Sequence, residues 1–289
     1  MNKRLYLALR ITALAALVGF ATTSSATAAL TLEKNDRICI IGSGLADRMQ
    51  HDGWLETVLQ SAHPKHYLVI RNLGYTGDTV WSRPRNGGYP KQEDHLKQIK
   101  ADVIFVMFGY NESFAGDGGL GKYKDELGKL VDKYRGMKPN GKSAPKIVLF
   151  TPIAHEDLGN PNLPNGKANN ARLAAYASAT KEVAEAKNTE IVDLFGPSAD
   201  LFRASNIPLT INGIHLNPEG NRRISEVIAR SLLGKDVPAS PSLENVRKAV
   251  RDKNWHWHNR YRATDGNDVW GGRSNLKFVD GQSNKDVLW

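Results

Sequence analysis

The hydrophobic pattern alternates short apolar runs with longer amphipathic stretches. Arg37-Ile-Cys-Ile-Ile41 reads as a buried strand, Gly42-Ser43-Gly44 as a tight turn, and Leu45 opens an amphipathic helix carrying Met49, Trp54, Leu55 and Val58. A second strand, Tyr67–Asn72, runs into a loop holding Gly74 and Gly77. The Pro/Gly-rich stretch from Arg83 to Pro90 reads as surface loop, and a helix covers Gln92–Ile99. Asp102–Phe108 is a third, fully buried strand ending in Gly109-Tyr110-Asn111. Leu120–Tyr134 has helical periodicity, Lys146–Phe150 is a fourth strand, Ala168–Ala186 an Ala-rich helix and Glu190–Leu194 a short fifth strand. Asn217 suits a helix N-cap and Pro218 the first helical position, with the helix running to Leu233 and stopped by Gly234.

Strands that alternate with helices imply a parallel sheet covered on both faces. Right-handed crossovers then predict a three-layer α/β/α fold, a doubly wound, flavodoxin-like domain with five parallel strands. Ligands of such sheets bind beyond the carboxyl ends of the strands. That places Gly42–Gly44, Gly74–Thr79, Gly109–Asn111 and Asn212–His215 in one region. A helix entered through glycines presents free N–H groups suited to an anion or a developing oxyanion.

Residues 1–28 read as a signal peptide. Lys3, Arg4 and Arg10 precede an apolar run from Ile11 to Ala21 that is too short to span a membrane, and Ala26-Thr27-Ala28 supplies small residues for cleavage after Ala28. Export to the periplasm or the cell exterior is the expectation. No membrane span is expected after cleavage. Removing those three basic residues takes the formal net charge from +9 to +6. The remaining basic residues are scattered, which does not point to nucleic acid. Cys39, the sole cysteine, cannot form a disulfide within the chain and reads as an inert core residue. No Cys/His pattern has zinc spacing, and no cofactor is expected. Residues 29–235 form the main domain. Beyond Pro238-Ala-Ser-Pro241 the composition changes: Leu243–Asn254 reads as a helix, and the stretch from Trp255 to Trp289 holds four of the six tryptophans. Residues 236–289 are therefore expected to be an aromatic extension packed on the domain. Oligomeric state is not legible.

The four loops, in their order, resemble the four sequence blocks of the SGNH, or GDSL-type, hydrolases. Gly42-Ser-Gly-Leu-Ala-Asp47 is similar to the first block, Asn72-Leu-Gly-Tyr-Thr-Gly-Asp-Thr79 to the second, Gly109-Tyr-Asn111 to the third and Asn212-Gly-Ile-His215 to the fourth. The resemblance implies a Ser nucleophile, a His base oriented by an Asp, and an oxyanion hole formed by two N–H groups and an Asn side chain. On this chain His215 matches the base, and Gly44, Gly77 and Asn111 match the oxyanion hole. The nucleophile position falls on Gly44 and the orienting Asp position on Asn212. Ser43 stands one residue early, where its side chain is expected to point away from His215 unless the turn slips.

Three roles follow: a Ser43 nucleophile through a slipped turn, a water activated by His215, or a pseudoenzyme pocket that binds a glycan or acyl group or serves as a docking module. The partner implied is a small ester or an acylated carbohydrate. Asn254–Arg273 also resembles a segment of divergent SGNH-like modules in large secreted haem-domain proteins. No Cys-x-x-Cys-His occurs here, so haem attachment is not expected.

Overall fold

The computed structural model describes residues 30–238, 241–263, 266 and 271–288. The proposed signal peptide lies outside them, as do Trp270 and Trp289 of the aromatic extension. The elements are β1 (Arg37–Gly42), α1 (Gly44–Asp52), α2 (Trp54–Ala62), β2 (Val69–Asn72), α3 (Gln92–Ile99), β3 (Val103–Met107), α4 (Leu120–Met137), β4 (Lys146–Phe150), α5 (Lys167–Ala186), β5 (Glu190–Val192), α6 (Phe195–Ala204), α7 (Pro218–Leu233) and α8 (Glu244–Ala263), followed by a hairpin of β6 (Lys277–Val279) and β7 (Gln282–Ser283) and a short α9 (Asn284–Leu288).

The main sheet has five strands in the order β2-β1-β3-β4-β5, all parallel. Successive strand side chains point to opposite faces. Cys39 and Ile41 of β1 join Ile104, Val106, Ile147 and Leu149 in one core, against Leu96 of α3, Leu127 and Tyr134 of α4 and Tyr176 of α5. Ile38 and Ile40 join Phe105, Val148 and Phe150 in the other, against Met49 of α1, Leu55 and Leu59 of α2 and Ile224 and Ile228 of α7. This is the three-layer α/β/α arrangement. Cys39 is fully buried and its thiol is pushed far up by burial, which makes it inert. Among the described residues no helix is long and apolar enough to cross a membrane.

Three sequence expectations are corrected. The helix after β1 is two helices, not one. Gly53 between them has φ +72°, and its N–H bonds Met49 O at 3.1 Å to close α1. A Cβ there would lie 3.0 Å from Val250 Cγ1 of α8, so a glycine also lets the C-terminal helix approach. The fifth strand ends at Val192, because Phe195–Ala204 is helical. The last long helix runs on to Ala263 rather than stopping at Asn254.

The reason for the longer helix is the open edge of β2. Lys253 Nζ bonds Ile70 O at 3.0 Å, Trp257 Nε1 bonds Asn72 O at 2.6 Å, and Tyr261 Oη bonds Leu73 O at 3.2 Å. The donors recur every four residues and so share one helix face. They satisfy carbonyls that an edge strand otherwise leaves open.

Candidate active site

The turn after β1 is fixed by a close approach of β3. Gly42 has φ +151°, and a Cβ there would lie 2.3 Å from Met107 O. Only glycine fits. The chain then enters α1 at Gly44, whose N–H makes no hydrogen bond among the described residues.

His215 stands opposite this turn. A Cβ built on Gly44 would lie 3.7 Å from His215 Nε2 and 3.9 Å from Cδ2, with nothing else within 4 Å. Gly44 is outside the left-handed region, so the backbone would accept a side chain. A side chain at position 44 would therefore meet the imidazole at ordinary van der Waals distance.

The other side of the ring fixes its protonation. Asn212 Oδ1 accepts from the His215 backbone N–H at 3.0 Å and lies 3.1 Å from His215 Nδ1. A backbone N–H can only donate, so the atom it meets is the amide oxygen, and Nδ1 must carry the ring proton. Nε2 is then left with its lone pair facing Gly44. Burial, and after it the nearby Arg48 guanidinium, hold the His215 pKa below the ordinary histidine value. Arg48 Nε is itself buried without a partner. Both effects favour the neutral imidazole.

The loop carrying His215 is held by Glu156, which sequence reading passed over inside a long Asn/Pro/Gly loop. Its buried carboxylate accepts from Leu209 N at 3.0 Å, Thr210 N at 2.7 Å and Thr210 Oγ1 at 2.6 Å. Thr210 Oγ1 in turn accepts from Gly213 N at 2.9 Å. The turn is closed where Ile211 N bonds His215 O at 2.8 Å.

Gly77 and Asn111 complete the set. Asn111 Nδ2 donates to Asp78 O at 2.9 Å, which spends one amide proton on joining two loops and leaves the other for the cavity. The Gly77 N–H has no partner among the described residues. Glu112 accepts from Val80 N and Gly109 N, each at 2.8 Å, and so holds the third loop. Thr76 donates to Asp47 Oδ2 through N at 3.2 Å and Oγ1 at 2.6 Å, and Arg262 Nη2 of α8 reaches the same oxygen at 2.6 Å. Asp47 is thus buried and paired with Arg262, not with its neighbour Arg48. Tyr75 lies between two guanidinium groups, Arg262 at 3.3 Å and Arg85 at 3.8 Å from its ring centre.

Gly44, Gly77, Asn111 and His215 line one cavity of about 270 Å³, whose wall also includes Leu45, Met107, Phe108, Pro152, Ile153 and Ile214, with Thr76 and Thr151. No carboxylate lines it. Tyr110 is at its edge, its ring 5.6 Å from exposed Phe114. Ser43 also borders the cavity, but its hydroxyl bonds neither His215 nor any other described residue. The structure brings His215, Asn212, Gly44, Gly77 and Asn111 together and leaves the Ser43 hydroxyl out of their network.

The description of the GDSL-like lipase/acylhydrolase family matches residues 41–223. No curated protein matches the chain. Among solved structures, an acetylxylan esterase from Geobacillus stearothermophilus superposes with TM-score 0.54 at 20% identity, over 73% of this chain and 100% of that one. A mutant of an acetyl-xylooligosaccharide esterase from Geobacillus gives TM-score 0.56 at 19% identity, with 73% and 100% covered. An alpha/beta hydrolase from the metagenome of Lake Arreo, Spain, gives 0.55 at 19% identity, with 70% and 96% covered. At these identities the likeness establishes a shared fold.

Proposed function

From the premise that the chain belongs to the GDSL-like lipase/acylhydrolase family, we propose that it cleaves a small acyl ester, an acetylated carbohydrate in the first instance, with water in place of the serine nucleophile. The observation that carries this is that the unprotonated His215 Nε2 faces Gly44 across the cavity, 3.7 Å from the position a Cβ would take. A water there is the nucleophile. Nε2 takes its proton while the oxygen bonds the ester carbonyl carbon. The resulting oxyanion accepts from the Gly44 and Gly77 N–H groups and the free amide proton of Asn111. Collapse breaks the bond to the alkoxy oxygen. The proton on Nε2 passes to that oxygen, giving the acid and the alcohol.

Carbohydrate is favoured by structures of this fold named as acetylxylan esterases, and by the aromatic ring of Tyr110 in the cavity lining, next to exposed Phe114. The leader-like pattern of residues 1–28 supports an activity outside the cytoplasm. A second reading, a pocket that binds such an ester without cleaving it, is favoured by Asn212, which orients the ring but cannot stabilise an imidazolium by charge.

Hydrolysis of an activated acetyl ester by the purified protein, beside His215→Ala and Ser43→Ala, separates these. Water activation predicts loss with His215→Ala alone. Loss in both variants assigns the nucleophile to Ser43. No turnover above buffer, with retained binding of an acetylated xylooligosaccharide, establishes the binding pocket.

A further inference from the structure

Further along α1 from this cavity, two imidazoles and a carboxylate converge. Asp47 and His51 are four residues apart on α1 and so share a face. His258 comes from α8. One donor atom from each lies within 4.8 Å of the other two. The two imidazole rings meet edge to face, 4.9 Å between centres. Neither imidazole makes a hydrogen bond to another described residue; His51 is exposed and His258 half-buried.

Asp47 itself is buried, and its Oδ2 is taken by Thr76 and Arg262. Its other oxygen, Oδ1, has only Gln50 Nε2, at 3.3 Å, among the described residues.

We propose that Asp47, His51 and His258 bind one divalent first-row transition ion of the zinc type. Two imidazoles and one carboxylate are a donor set for such ions, and not for magnesium or calcium, which prefer oxygen ligands. The charge around the site sharpens that choice. Arg262 already neutralises Asp47, while Glu244 and Asp252 offset Lys248 and Arg251 along the adjoining groove. Coulomb attraction therefore contributes little, and affinity rests on the imidazole nitrogens. The remaining coordination positions open into that groove, which has His51, His258 and exposed Trp255 in its walls. An ion there ties α8 to α1 beside the hydrogen bonds that hold Thr76 at the cavity edge. The inference does not depend on how, or whether, the cavity cleaves esters.

The test is calorimetric titration of zinc into the chelator-stripped full chain at pH 7.5, with thermal melting in parallel. One ion per chain and a raised melting temperature are expected. His51→Ala and His258→Ala should each weaken binding at least about tenfold and abolish the thermal shift. His51→Gln and His258→Gln repeat the test with bulk retained, should either alanine variant misfold by circular dichroism. His63→Ala is the control, since His63 and His66 form another ring pair 4.9 Å apart without a carboxylate in reach; it should leave affinity unchanged. Wild-type affinity weaker than about 100 µM, or tight binding that survives both histidine replacements, overturns the proposal.

Discussion

At position 44 the missing atom is a single hydroxymethyl group. A Cβ there meets His215 Nε2 and Cδ2 at ordinary contact distance, 3.7 and 3.9 Å, on a backbone that any residue can adopt. Gly44→Ser should therefore fold as the parent does and place its hydroxyl against the imidazole. Asn212 limits what that serine can do, because an Asn in the Asp position of a serine triad costs about 10⁴ in turnover. Gly44→Ser with Asn212→Asp should hydrolyse an activated acetyl ester at least about 100-fold faster than Gly44→Ser alone. Burst kinetics and covalent labelling by an organophosphonate would check that the serine itself is acylated. Equal rates in the two variants would show that the donors around the cavity are not set for an oxyanion.

His215 makes a pH prediction. Its pKa lies below the ordinary 6.5 through burial and Arg48, so the neutral base persists as pH falls past 6.5 and is lost only through the lower, folded value. kcat/KM should accordingly hold at pH 6.5 and decline beneath it. Replacing Arg48 with Met removes the repelling charge and should move the acid limb to higher pH. A profile that does not move would mean that burial alone sets this histidine.

At the scale of elements, α8 is a cover for β2. The spacing of Lys253, Trp257 and Tyr261 puts three donors over the carbonyls of one edge strand. Trp257 also stacks flat on Tyr261, with ring centres 5.9 Å apart, and carries Arg71 over its face. Trp257→Ala removes the stack and leaves Asn72 O without its donor. The ring is half-buried, so the cost should fall at or below the lower end of the Trp→Ala range, about 2–3 kcal/mol, read as a lower urea midpoint at unchanged slope. Tyr261→Phe, which keeps the ring and loses only the hydroxyl, should cost about 1 kcal/mol. The four-residue recurrence of these side chains was present in the sequence. Its meaning was not, because the pattern does not say which surface the face will meet.

At the scale of the whole molecule, the sheet brings four loops from between Gly42 and His215 to one end, and the C-terminal helix returns to brace the first two. Arg262 is the link: it bonds Asp47 of α1 and lies on Tyr75 beside Thr76 and Gly77. Much of this was legible. The apolar runs at Ile38–Ile41, Val103–Met107 and Ile147–Phe150 are strands because buried parallel strands need unbroken apolar sequence, and Asn217-Pro218 and Gly234 bound α7 because caps are local chemistry. The order of the four loop blocks was likewise enough to choose the fold and the cavity.

Other features depended on contacts between segments far apart in the chain. The break at Gly53 follows from the approach of Val250. Glu156 became a brace for the histidine loop only by meeting Leu209 and Thr210, some fifty residues on. Asp47 took Arg262 rather than its neighbour Arg48, and drew His51 toward His258, because α8 docks there. The sequence by itself determined most of the strands and helices, the split at Gly53, α6 and the far end of α8 excepted, and which residue types line the cavity, since propensity, periodicity and caps act within a few residues. Only the tertiary structure decided that His215 Nε2 faces Gly44 and which charged groups pair. Those depend on ångström distances between side chains that no local pattern encodes.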